Sequence, residues 1–169
     1  MRKAPALLLI VAAALVLSGC SYRPLYGSSA DHAGVSDILT TVAIPEPDSR
    51  VGQIIRNDLI SSMQAGTGAE RYTLTLVPTL KTTAVINRPQ PAITRQAINL
   101  SVTYELLDRR TGARLQQGKT FSQASYDVIR QPFADQQAAT NATERAAHEV
   151  SADLRTRIAA YFASNPPQP

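Results

Sequence analysis

Few side chains in this chain could do chemistry. Its 169 residues hold one cysteine and two histidines. Cys20, the sole thiol, has no second cysteine to pair with, so no internal disulfide is expected. His32 and His148 have no cysteine or acidic residue at metal-ligand spacing, and both read as solvated surface residues. Glu46 and Asp48 flank Pro47, where paired carboxylates serve capping and solubility better than a glycosidase mechanism. A Gly-x-Ser-x-Gly elbow and a Gly-rich phosphate loop are both missing from the sequence. The expectation is a protein that is not an enzyme and needs neither cofactor nor metal.

Charge narrows the partners. There are 17 basic and 13 acidic residues. Arg2 and Lys3 lie at the extreme N-terminus, and without them 15 basic residues face 13 acidic ones. No dense Lys/Arg block remains, so no nucleic-acid partner is expected. Of the 44% apolar residues, a disproportionate share falls between Met1 and Gly19; the rest of the chain has ordinary globular composition, enough for one core.

Residues 1–19 read as an address. Arg2 and Lys3 precede twelve unbroken apolar residues, Ala6 to Leu17, and then Ser18, Gly19 and Cys20. A charged start, a short apolar stretch and small residues before a cleavage point match an export signal. Twelve helical residues span about 18 Å, too short for a hydrocarbon core of about 30 Å. Leu17-Ser18-Gly19-Cys20 resembles the bacterial lipobox, which implies that the sulfur of Cys20 is acylated and that Cys20 opens the mature protein. One acyl chain holds a membrane only marginally, whereas several hold durably. By resemblance to lipoprotein sorting rules, Ser21 after the cysteine points to the outer membrane.

Beyond the address, the pattern predicts one α+β domain. Residues 20–37 read as lipidated cysteine and tether, rich in Gly, Ser and Ala. Ile38 to Ile44 reads as a first strand, stopped by Pro45 and Pro47. Asp48 or Ser49 can cap a helix whose Val51, Ile54, Ile55, Leu59 and Met63 recur at helical spacing, with Gly66 and Gly68 ending it. Tyr72, Leu74 and Leu76 alternate as a strand that continues raggedly to Ile86, Pro78 marking an edge or bulge. Ile98, Leu100, Val102, Tyr104 and Leu106 form the cleanest strand, with Asn99, Ser101, Thr103 and Glu105 on a wet face. Asp108 to Gly112 reads as a hairpin turn into a return strand from Arg114 to about Tyr126. Ala134 to Ala163 reads as a long helix with a core stripe through Ala142, Ala146, Val150, Leu154 and Ile158. The Pro-rich residues 165–169 should fray. The predicted order is β-α-β-β-β-α over 38–164: a four-stranded, mostly antiparallel sheet with two helices on one face.

Three features occur together: the lipobox at Cys20, the run Ser21-Tyr22-Arg23-Pro24-Leu25-Tyr26-Gly27, and Val51-Gly52-Gln53-Ile54-Ile55-Arg56-Asn57-Asp58-Leu59 at the first long helix. Together they resemble the LPS-assembly lipoprotein family LptE. The resemblance implies a four-stranded sheet with two helices, seated in the lumen of the LptD β-barrel as a plug and assembly aid for lipopolysaccharide export. It also implies lipopolysaccharide binding, which demands cations beside apolar surface. Arg88 and Arg95, flanking Pro89-Gln90-Pro91 next to Ile86 and Ile93, are the main candidates, Arg88 falling where the family carries a basic residue. Arg130, beside Ile129 and Phe133, is a weaker one. The other reading of these arginines is solvated loop charge. An auxiliary lipoprotein of phospholipid transport and a lipid-anchored periplasmic enzyme are the competing functions.

Overall fold

The computed structural model describes residues 34–85 and 95–166. Its order is α1 (Val35–Thr40), β1 (Val42–Ala43), α2 (Arg50–Met63), β2 (Tyr72–Val85), β3 (Arg95–Asp108), β4 (Arg114–Asp127) and α3 (Pro132–Ser164). The strands form one four-stranded sheet in sequence order. β1 runs parallel to β2, pairing Val42 with Tyr72, while β2–β3 and β3–β4 are antiparallel. This is the predicted α+β sheet with one helix more than foreseen.

The difference lies at the start. Ile38 and Leu39 belong to a helix, and only Val42 and Ala43 pair as a strand. Both Ile38 and Leu39 are buried. Adjacent buried residues suit a helix against a core, whereas a strand would turn one of the two away. Asp37 supports the helical start by accepting the Gly34 N–H at 3.2 Å.

In α2, Ser49 is the cap, its hydroxyl accepting the Gly52 N–H at 3.2 Å. Ile55, Leu59 and Met63 are buried at helical spacing, as predicted. Gln64, not a glycine, takes the left-handed cap position with φ 51°.

β2 extends unbroken to Val85, with Pro78 opposite Val102. Beyond Thr73 no strand pairs with its other side among the described residues, so the proline occupies an edge. β3 is the centre of the sheet: Leu100, Val102 and Leu106 are fully buried and Thr103 faces solvent. At the hairpin, Asp108 accepts the N–H groups of Arg110 at 2.8 Å and Thr111 at 3.1 Å, and Gly112 adopts φ 70°.

α3 lies across β3 and β4, and α2 packs against α3 and β2. Their shared core holds Ile55, Leu59, Val150, Leu154 and Ile158, with Phe162 closing on Tyr72 at 4.9 Å between ring centroids. The buried face of β4 carries two hydroxyls beside the core residue Ala124. Thr120 and Ser122 are satisfied by carboxylates of α3: Thr120 donates to Asp153 at 2.5 Å, and Ser122 donates to Glu149. These bonds remove the desolvation cost that two buried hydroxyls would otherwise carry.

Candidate functional site

Cys20 and Arg88 lie outside the described residues. Arg95 opens β3, and Arg130 follows β4 in the loop to α3, so the fold brings these two to the same end of the sheet. Arg95 is exposed, and its Nε donates to Asp127 across the β3–β4 pair at 3.0 Å. An ion pair in that setting contributes about 0–1 kcal/mol, so a competing phosphate could displace it. Arg130 is exposed too.

Apolar surface stands beside this basic end. Ile129 is 50% exposed and Phe133, at the start of α3, is 83% exposed. At the same end of β4 the Tyr126 hydroxyl donates to Gln96 at 2.5 Å, and burial raises the phenol above its ordinary pKa. Large apolar side chains left in water beside cations suit an amphiphilic ligand bearing acyl chains and phosphates. On the outer sheet face, otherwise rich in Thr and Ser, Val77 and Phe121 also project, Phe121 at 80% exposure.

His148 is a solvated surface residue, as expected from sequence, and it has a partner that the sequence does not show. Its Nδ1 lies 2.5 Å from Asp58 of α2, and the Ser151 hydroxyl donates to the same carboxylate oxygen at 2.9 Å. This group of Ser, His and Asp is not a nucleophilic triad, because the serine addresses the carboxylate and its own helix carbonyl, not the imidazole. Its effect is to tie α2 to α3. Among the described residues no three His, Cys, Asp or Glu side chains stand together as a metal site. No described helix is long and apolar enough to cross a membrane.

At the opposite end of the sheet, Arg56 of the family-like run comes together with Arg71, Arg109 and Arg110, which no motif singles out. Arg109 of the β3–β4 turn pairs with Glu70, both half-exposed, and Arg71 places its guanidinium carbon 5.4 Å from the Tyr72 ring centroid. Arg56 of α2 donates from Nε to the Ile44 carbonyl at 2.8 Å. The β2–β3 register, with Tyr72 opposite Asp108, brings residues 71 and 109 together. Only that register could have revealed the grouping from sequence.

A four-stranded sheet in sequence order, covered by helices on one face, defines a small α+β domain. Solved structures share it. A candidate lipoprotein from Caulobacter crescentus CB15 is 25% identical with a TM-score of 0.68, over 80% of this chain and 100% of that one. A minor lipoprotein from Acinetobacter baumannii is similar in fold alone, 14% identical with a TM-score of 0.54 over 70% of this chain and 88% of that one. No curated protein matches the chain. The family model LptE, lipopolysaccharide-assembly, matches residues 39–161, from α1 to the last turns of α3. The chain belongs to the LptE family. LptE proteins are nonenzymatic lipoproteins associated with the outer membrane.

Proposed function

We propose that this chain is the lipid-anchored LptE component of the lipopolysaccharide export translocon. In this reading it is held to the periplasmic side of the outer membrane by acylated Cys20 and seated in the lumen of LptD as plug and assembly aid. The family match across the whole sheet and its covering helices carries the reading. The outer face of the sheet supports it, since exposed Thr75, Thr79, Lys81 and Thr103 suit a water-filled barrel interior. Residues 20 to 34 can extend at most roughly 50 Å, which lets the domain enter a barrel while its anchor stays in the leaflet.

Lipopolysaccharide is the proposed ligand of the basic end, with Arg88, Arg95 and Arg130 meeting phosphates and Ile129 and Phe133 meeting acyl chains. Bonds from a guanidinium to a charged group contribute about 1.5–3 kcal/mol each, more than the exposed Arg95–Asp127 pair they would replace. Arg88→Asp together with Arg95→Asp should lower lipopolysaccharide affinity at least about tenfold. Unchanged affinity in a folded double variant would remove these residues from the site.

A further inference from the structure

The arginines at the far end of the sheet make a second, separate cationic surface. Arg71, Arg109 and Arg110 line a hollow of about 490 Å³ with Thr41 and Glu70. Arg56 lines an adjoining hollow of about 500 Å³, and the Arg109–Glu70 pair forms part of both walls. Backbone bonds fix this frame: Arg71 N–H donates to Thr41 at 2.9 Å, and Arg109 N–H donates to Arg71 at 2.9 Å.

The charges here do not balance. Four arginines face two carboxylates, Glu70 and Asp108. The Asp108 carboxylate is engaged by the turn N–H groups of Thr111 and Arg110, which with the nearby Arg110 and Arg71 charges hold its pKa below the usual carboxylate range, so this one carboxylate offsets only part of the positive charge. Among the described residues, Arg56, Arg71 and Arg110 form no ion pair with a carboxylate. Like charges gathered in a fixed frame repel, and a bound anion relieves that repulsion. Guanidinium forks match phosphate oxygens in pairs. Arg109 can join them, because a half-exposed pair with Glu70 is worth little and exchanges easily.

We propose that this end of the sheet binds the phosphate of an anionic glycerophospholipid headgroup. Its position favours a lipid source. The chain enters the described domain at Gly34, and the six residues of α1 rise only about 9 Å before Thr41, on the wall of the hollow. The surface therefore lies at the end where the tether from Cys20 joins, and an anionic leaflet attracts clustered arginines nearby. The lipopolysaccharide candidates lie elsewhere: β3 runs fourteen residues from Arg95 to Asp108, about 43 Å. The inference goes beyond the proposed function and does not depend on Arg88, Arg95 or Arg130.

The full acylated chain in neutral detergent micelles can be titrated with short-chain phosphatidylglycerol, short-chain phosphatidylcholine and inorganic phosphate. Calorimetry would read affinity, and the amide shifts of Gly66 and Arg110 would report the place. Phosphatidylglycerol should bind at least about tenfold tighter than either of the others, and Arg71→Gln with Arg110→Gln should cut that affinity by a similar factor. Glu70→Gln should strengthen binding by removing the competing carboxylate. Equal binding of the two lipids, or no rise in the Glu70 variant, would overturn the proposal. Inorganic phosphate bound as tightly as phosphatidylglycerol would overturn the lipid assignment.

Discussion

Gly52 sits in the first turn of α2 within the run that carries the family resemblance, and its replacement by alanine separates two opposite expectations. An open helical glycine gains about 1 kcal/mol on becoming alanine. Here an added Cβ would lie 2.8 Å from Pro47 Cβ, 2.9 Å from Pro47 Cγ and 3.0 Å from Ser49 Oγ. The proline ring is stiff, and moving Ser49 breaks the cap it forms with the Gly52 N–H. Overpacking of this kind costs about 1–3 kcal/mol, and loss of a serine cap costs about 1 kcal/mol more. Set against the gain in helix propensity, Gly52→Ala should destabilise by about 1–3 kcal/mol. In urea denaturation followed by circular dichroism, the midpoint should fall by on the order of 1 M with the slope unchanged. Adding Pro47→Ala should recover part of the loss, a non-additivity expected of residues in contact. A Gly52→Ala protein as stable as the parent, or more so, would refute the packing argument.

Leu154→Ala, which empties a fully buried position between α3 and the sheet, should cost about 2–5 kcal/mol in the same denaturation assay. Burial would raise the Asp153 pKa, but hydrogen bonds from Arg157 and Thr120 outweigh it and leave that pKa below its ordinary value. A lowered carboxylate pKa gives stability that is present above the unfolded pKa and is lost as pH falls through the folded one. Thermal melts from neutral to acidic pH should therefore show a shallower acid decline in Asp153→Asn than in the parent. Cys20→Ala should abolish incorporation of labelled fatty acid; undiminished labelling would refute acylation at that sulfur.

Much of the fold is written in periodicities that local chemistry enforces. β3 alternates because one face is buried and the other wet, and the stripe of α3 is buried from Ala142 to Ile158 as its spacing requires. The start of the domain defeats this reasoning because Ile38, Val42 and Ile44 fit an alternating pattern, while the adjacent burial of Ile38 and Leu39 depends on α1 packing against α2 and α3. Partners far apart in sequence are not legible at all. Asp58 meets His148 across ninety positions, and Thr120 and Ser122 find their carboxylates on α3, because tertiary packing alone sets those distances. Of the candidate site, the grouping of Arg95 and Arg130 at one end follows from strand order, whereas the Arg95–Asp127 pair needs the β3–β4 register.

The most direct test of the account is extraction of the tagged full chain from its native membrane in mild detergent, with the copurifying proteins identified by mass spectrometry. LptD should be recovered in near-stoichiometric amount with the acylated chain. Recovery of an acylated, folded chain with no LptD would contradict the translocon role.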